Sequence, residues 1–580
     1  LDFPEAPILD GAVDLTRTGV FADPNRFEPN AYCVTEPQLS TGDRPGALIP
    51  ANWLRPRFRW TAAAGDDLFE LRFTHPNERH ALVVFTTRPE WTMPAELWTR
   101  VATNLHTPIE VTIRGTSTSG GVRGVRGSFS IAPVFPGGTL VFWATSTKTV
   151  SKQASRLVGF SVGSEYVASA LTLNQLETAG IASEHGGLRD HGKSGFSPGE
   201  VQCIGCHVST PDGSAVVFGD DWPWNKVVAN VDPKQGAVGS RPAWLSDNAL
   251  SVLNMPWQSS GTMSPAEWAP GRRILITSIG TPRRDPFQSD IASGDDYHWP
   301  SAKLAWMDLE ATTAIPRTTD LSTLNPALSA AEGKAWGYLA NTGDPGAAVT
   351  PDFSHDGKHI VYTSTVNPAN GHLNKKVTTT PADLYVVPFN DRKGGEAKPL
   401  QGAAETPARE YYPAYSPDDR YVAFNRVETL TEAPYYNRDG EIWIVPSEGG
   451  SATRLAANDP PACTGQRSPG VTNSWAKWSP RPISRNGKTY YFLVFSSTRR
   501  HDGQFDLVDP YDGGAVVKSS HLYMASFVVD DATRVITSYP AVYLWNQNRL
   551  VENGAATDIR TSNLTPAWDE FRIPPPPPPQ

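Results

Sequence analysis

Two stretches of this chain read almost as copies of one another: Val349–Ser364 (VTPDFSHDGKHIVYTS) and Tyr412–Arg426 (YPAYSPDDRYVAFNR). Each is followed by another strand-like run, Asp383–Pro388 (DLYVVP) and Glu441–Pro446 (EIWIVP). The unit is an aromatic, a Ser-Pro-Asp-Gly-like turn, a strand, a loop and a second strand. Pro fixes φ and Gly permits φ > 0, so the turn reverses the chain tightly. Weaker copies begin at Ser209 (STPDGSAVVF), at Trp268 (WAPGRRILITS, then Lys303–Leu309) and at Trp475 (with Thr489–Phe495, then His521–Phe527). So short a unit cannot bury both of its faces alone. Copies are expected to stack on one another around an axis, the alternative being two separate β-sandwiches.

The remaining composition agrees with an all-β chain of more than one domain. Its 580 residues include 48 Gly, 52 Pro and 18 Trp, with only 19% charged residues. That mixture favours many short strands joined by turns over long helices, and the length exceeds one ordinary core. Residues 1–50 are expected to be an extended arm. Residues 51–160 alternate like strands in Leu68–Phe73 (LFELRF) and Ile109–Ile113 (IEVTI), and are expected to form a β-sandwich. A single helical turn is expected within Trp91–Trp98. Residues 161–208 read as a linker, 209–570 as the stacked repeats, and 571–580, with Pro574–Pro579, as a polyproline tail.

The segment F-x-W-T-x-x-x-G-x-x-L-F-E-L-R-F resembles the B and C strands of a fibronectin type III or Ig-like module. The repeats resemble the six-bladed propeller of TolB and its WD40-like (PD40-type) relatives. That resemblance implies about six blades. Five copies are visible, and the sixth blade is expected to combine Val535–Trp545 with a strand preceding residue 203.

Between linker and repeats lies Cys203-Ile204-Gly205-Cys206-His207, a C-x-x-C-H run holding two of the four cysteines. Two thiols at this spacing can form thioethers with the two vinyls of one porphyrin, and the His that follows falls within reach of the iron. The same cysteines could instead form a disulfide or redox dithiol, or half a zinc site, although no second C-x-x-C or H-x-x-x-H accompanies them. Aligning Thr210-Pro211-Asp212-Gly213 with Ser416-Pro417-Asp418-Asp419 sets His207 level with Pro413, on or beside an inner strand. The motif resembles that of bacterial propeller proteins with one C-x-x-C-H just ahead of an S-x-D-G turn, of which the hydrazine synthase α subunit is a distant architectural relative. The resemblance implies one covalent haem c on Cys203, Cys206 and His207, with His207 as proximal iron ligand. The rest of that enzyme has no match here, and its reaction is not carried over.

The sixth iron position decides the chemistry: a Met or His closes the iron for electron transfer, and an open position admits small ligands. The candidates are His191, Met263 and His298. Each has an ordinary alternative, core packing for the Met and a solvated loop for the histidines. Trp222 and Trp224 could shield a haem edge or simply pack in the blade; Asp220 and Asp221 could serve the site or cap a turn. Asp502–Asp512 holds several carboxylates, but its spacing departs from an EF-hand, so a solvated loop is favoured over Ca²⁺.

Net charge is −9 with no basic patch, which argues against nucleic acid. No apolar run reaches the length of a membrane span. A chain beginning at Leu1 looks like a mature exported protein, and c-type haem attachment implies a bacterial periplasmic or extracellular location. Cys33 and Cys463 could pair there, or remain apart. The expected function is electron transfer by an exported monohaem cytochrome, serving a redox partner protein or neighbouring cytochrome, within an oligomer or larger assembly. The alternatives are a haem oxidoreductase with an open iron, and a binding module whose haem is structural.

Overall fold

The computed structural model describes the chain except residues 1, 43, 106, 146–154, 182–200, 202, 221–224, 256–257, 280–301, 318–320, 366–381, 405–406, 429–436, 500, 502, 509–515, 553 and 573–580. The polyproline run lies outside the described residues. Among those described, no helix is long and apolar enough to cross a membrane.

The fold is all-β. In Arg57–Thr61 (RFRWT) burial alternates along the strand, with Phe58 and Trp60 inward and the arginines outward. This strand joins Cys33–Glu36 and Glu90–Thr92 in a three-stranded sheet. A six-stranded sheet packs on it, in the order Ile8–Asp10, Leu82–Thr86, Leu68–Thr74, Ile109–Thr116, Val122–Ala132 and Leu48–Pro50. Phe58 meets Phe73 and Phe129 between the layers, with ring centroids 5.0 and 5.9 Å apart. The expected arm at 1–50 is therefore corrected: three of its segments are strands of the sandwich. The helical turn expected near Trp91–Trp98 is the helix Ala95–Val101, which buries Leu97, Trp98 and Val101.

Six further blades form the propeller, the third and fourth joined into one eight-stranded sheet by the pairing of Ala382 with Arg409. The first blade is Gly205–Ser209, Ala215–Gly219 and Lys226–Asn230. The second is built on Arg272–Ile279, Lys303–Asp308 and Trp336–Tyr338, with Gln258 and Thr262 bridging to its inner edge. The third runs Ala347–Phe353, His359–Thr365, Ala382–Pro388; the fourth Arg409–Tyr415, Tyr421–Val427, Glu441–Pro446. The fifth runs Ser474–Trp478, Lys488–Ser497, His521–Asp530, Ile536–Tyr543.

The sixth differs from expectation. Its inner strand is Ser562–Asp569, paired with Thr139–Thr145, and beyond it lie Ser155–Ser161 and Ala168–Thr172. Ile536–Tyr543 is instead the outer strand of the fifth blade. The sandwich therefore ends near Ala132, and 139–172 belongs to the propeller. This pairing joins the last strand among the described residues to strands from the first third of the chain. The Ser562–Asp569 strand lies against both Ser474–Trp478 and Gly205–Ser209, its neighbours on either side.

The turn repeat holds atom for atom in three blades. Thr210, Ser354 and Ser416 each donate a side-chain hydroxyl to the aspartate two residues on, at 2.6, 2.8 and 2.7 Å. The fourth turn position has positive φ in each: Gly213 (68°), Gly357 (73°) and Asp419 (56°). Gly213 is required twice over, because a Cβ there would lie 2.0 Å from the Glu570 carbonyl oxygen.

Sandwich and propeller share one core. Trp568 of the closing strand is fully buried and packs against Trp53, with ring centroids 5.2 Å apart and the planes tilted by 43°. Cys33 of the sandwich is disulfide-bonded to Cys463 of the propeller, with Cα atoms 5.3 Å apart. A link of this kind stabilises by about 2–4 kcal/mol through the unfolded chain it constrains.

Candidate functional site

The inner strands share a second repeat that fixes the position of the C-x-x-C-H residues. In five blades the inner strand carries one extra residue relative to its partner, between Gly205/Val208, Val349/Asp352, Tyr411/Ala414, Ser474/Lys477 and Leu564/Ala567. The first bulged residue is left-handed each time: Cys206 (φ 47°), Thr350 (47°), Tyr412 (53°), Trp475 (56°) and Thr565 (40°). None is glycine, so each carries backbone strain that the surrounding sheet must hold. Cys206 thus corresponds to Tyr412, and His207 to Pro413, as the turn alignment sets them.

Cys206 stands at the bulge of the first blade's inner strand. Its thiol interacts electrostatically with Tyr412, three blades away across the ring, whose ring lies 5.8 Å from that of Trp475. The side chain is exposed, yet protein surrounds it closely enough to push its thiol pKa up, with Lys226 opposing the shift. Exposure and desolvation together describe the wall of a concavity. Lys226 itself is buried, and its ammonium is pushed down to about 8 by that burial, with Cys206 opposing. It comes within 3.4 Å of the position a Cβ on Gly219 would take, so the glycine leaves room for it.

Cys203 sits at the outer end of the bulge. Its backbone N–H donates to Asp220 Oδ1 at 3.1 Å, so Asp220 anchors the motif's backbone. Ser155 Oγ lies 4.0 Å from Cys203 Sγ and receives hydrogen bonds from Ile204 N and Trp143 Nε1. A Cβ on Gly205 would approach Cys203 Sγ to 3.3 Å, so the glycine inside the motif lets the thiol fold back over it. The two thiols are not joined. Among the described residues no group of three or more His, Cys, Asp or Glu gathers to hold a metal ion.

His207 is buried, and neither ring nitrogen has a hydrogen-bond partner of acceptable geometry. Burial pushes its pKa down to about 3, the Val141 backbone opposes this, and Lys477 reinforces it. The imidazole is therefore neutral at physiological pH, the protonation state a metal ligand needs. Leaving both nitrogens unpaired costs about 1–3 kcal/mol per group.

His207 lines an axial cavity of about 180 Å³ to which all six blades contribute, among them Met263, Asp352, His355, Lys477 and Asp569. Asp569 is raised by burial while Ser209 Oγ donates to it. His355, 3.1 Å from Asp419, is lowered by burial but raised overall by that carboxylate. Cys203 and Cys206 do not line this cavity.

Of the proposed sixth ligands, Met263 shares the cavity with His207, and it also packs in the core between the first two blades. His191 and His298 lie outside the described residues, as do Trp222, Trp224 and Asp221. In the acidic segment, Asp506 forms an ion pair with Lys518, while Asp502 and residues 509–512 lie outside the described residues.

Sequence reading missed Lys226, Tyr412 and Trp475. The bulge alignment was the available signal for the two aromatics, since matching His207 to Pro413 matches Cys206 to Tyr412. No local signal marked Lys226, which reaches Cys206 from the blade's third strand.

A haem c fits the donor chemistry: two unbridged thiols, and a neutral imidazole with both nitrogens unpartnered. It does not fit inside the 180 Å³ cavity, which is below the range that takes even drug-sized ligands.

No family model matches this chain, and neither does any curated protein. Among solved structures it is similar to the hydrazine synthase of Kuenenia stuttgartiensis at 11% identity, over 67% of this chain and 93% of that one, with a TM-score of 0.27. It is similar to a GH74 enzyme of Niastella koreensis at 9% identity, over 92% and 74%, TM-score 0.25. A prolyl endopeptidase gives 11% identity over 66% and 53%, TM-score 0.24. Superpositions this loose carry no argument, and what the chain does must be read from its own residues.

Proposed function

We propose that this protein is an exported monohaem c-type cytochrome built on a TolB-like propeller, passing electrons to a partner protein or a neighbouring cytochrome. The observation that carries the reading is the buried, neutral His207 with both nitrogens unpartnered, one residue from Cys206 and four from Cys203, two unbridged thiols. Cys203 and Cys206 would hold the porphyrin by thioethers and His207 would ligate the iron. Bound there, the haem supplies one-electron chemistry.

The surroundings of Cys206 favour electron transfer. Tyr412 and Trp475 are aromatic, and burial moves the Tyr412 hydroxyl well above its ordinary range, so it keeps its proton. A second reading rests on Lys226. Burial beside Cys206 holds its ammonium at about 8, so Lys226 could supply a proton at this site, as a haem oxidoreductase would require.

The test is to express the chain through a periplasmic cytochrome-maturation pathway and record a pyridine haemochrome spectrum of the washed, denatured protein. One c-type haem per chain is the expected result, and protein without covalent haem ends the proposal. The ferric spectrum with cyanide, and the reduced spectrum with CO, then separate the two readings. An unreactive low-spin iron supports electron transfer, and a reactive one the oxidoreductase.

A further inference from the structure

The sandwich and the propeller meet along a cleft that the haem reading does not use. Two adjoining cavities of about 610 and 720 Å³ share Arg88, Glu90, His501 and Tyr543 as a common wall. That wall is fixed from beneath. Arg57 donates to both oxygens of buried Glu36 at 2.8 and 2.9 Å, and His501 Nε2 lies 3.0 Å from the same carboxylate. The His501 ring stacks on Tyr543 at 3.9 Å.

Guanidinium groups and aromatic rings alternate around the 610 Å³ cavity. Trp545 lies between Arg55 and Arg549, whose Cζ atoms are 5.9 and 5.5 Å from its centroid. Arg55 is committed to Glu165, and Arg88 to Asp10. Arg549 instead stacks on Tyr166 at 4.6 Å, with only a long bond of 3.4 Å to that hydroxyl. Arg560 stacks on Phe505 at 4.8 Å. Neither is ion-paired among the described residues, and both line the 610 Å³ cavity beside Glu90 and Asp558.

We propose that this cleft binds an acidic oligosaccharide, its uronate carboxylates on Arg549 and Arg560, and sugar hydroxyls on Glu90 and Asp558. Arginine forks match carboxylate geometry, and the aromatic rings beneath Arg549 and Arg560 hold those forks in place. The acidic groups on the same wall decide between polyanions. They accept hydrogen bonds from free sugar hydroxyls, which each uronate unit offers and an internal deoxynucleotide, esterified at both of its hydroxyl positions, does not. The volume lies within the range of small-molecule sites, and the adjoining cavity gives room for further sugar units.

The test is calorimetric titration of the full-length protein with trigalacturonate at low salt, with cellotriose and a short single-stranded DNA as the other two arms. Trigalacturonate should bind, cellotriose at least about tenfold more weakly, and DNA not measurably. Arg549→Gln and Arg560→Gln should each weaken trigalacturonate binding about tenfold, the loss of one charged hydrogen bond. Added salt should weaken it further. Arg560 is exposed, so Arg560→Gln leaves the fold intact, and that variant decides the matter alone if Arg549→Gln fails to fold. No binding of trigalacturonate, equal binding of cellotriose, tighter binding of DNA, or unchanged affinity in Arg560→Gln overturns the proposal. The haem spectrum is independent of every arm, so either proposal can fail without the other.

Discussion

At the left-handed bulge of the first blade stand Cys206 and His207; in the fourth blade the same two positions hold Tyr412 and Pro413. The backbone is shared down to the turn that follows, where Thr210 and Ser416 make the same bond to Asp212 and Asp418. What differs is polarity at the second bulge position. Pro351, Pro413 and Pro566 occupy it in three blades and leave nothing there to satisfy, whereas His207 brings two buried nitrogens without partners. The scaffold would be cheaper with proline in the first blade as well. An uncompensated polar ring in one copy of a repeat, beside two thiols, points to a ligand that only that copy was built to take.

The largest expected effect comes from erasing this difference. His207→Pro gives the first blade the residue its siblings carry. The fold should persist, and the haem-free protein should gain about 1 kcal/mol because a buried unsatisfied ring is removed. The native iron spectrum should vanish. An unaltered ferric spectrum in this variant removes His207 from the iron, and a variant that no longer folds shows that the imidazole packs rather than ligates.

Most of this comparison was legible in the sequence, for a local reason. The Ser-Pro-Asp-Gly turns and the C-x-x-C-H run lie within a few residues of their partners, so spacing alone registers His207 against Pro413. The sixth blade was legible only in that strands preceding residue 203 complete it; its inner strand was hidden, because Ser562–Asp569 pairs with Thr139–Thr145 from far along the chain and neither segment carries the turn motif. The same reason hid the strands at Ile8–Asp10 and Leu48–Pro50, which add to sheet edges by parallel pairing. The arginine cleft draws on residues from Asp10 to Arg560, each unremarkable where it stands in the chain.

A smaller effect sharpens the contrast between the two buried histidines. His521, in the fifth blade, is also pushed down to about 3, by burial first, with His501 reinforcing and Glu36 opposing. Its Nε2 is likewise unpartnered, but it stands on a middle strand rather than at a bulge. The folded protein keeps this ring neutral, while the unfolded chain takes a proton below its ordinary value of 6.5. The neutral ring is therefore no handicap above 6.5, and stability falls as the pH drops from there towards 3. The slope approaches about 1.4 kcal/mol per pH unit for each such group. His521→Phe should shrink the gap in unfolding free energy between neutral and mildly acidic denaturant titrations, by about 2–3 kcal/mol at most. In haem-loaded protein His207 should add nothing to this acid limb if it is held by iron. An acid limb that survives His521→Phe at full size assigns the titration elsewhere.

The smallest effect asks whether the strain at the bulges serves the chemistry or the ring. Thr565 holds φ at 40° in the closing blade, far from any motif residue in sequence, and its hydroxyl is buried without a partner. A β-branched residue in the left-handed region costs about 1–2 kcal/mol, and the orphaned hydroxyl adds to that. Thr565→Gly removes both costs and returns about 0.5–1 kcal/mol to the unfolded chain as entropy. The net expectation is a gain of about 1 kcal/mol, read as a higher denaturation midpoint at unchanged slope, with haem content unaltered. That result would mean the bulge is an architectural device of the inner strands, repeated wherever the channel needs a side chain turned inward, and borrowed by the first blade to present Cys206. Loss of haem in Thr565→Gly would instead mean that the five strained positions act together, each holding part of the ring that surrounds the thiol.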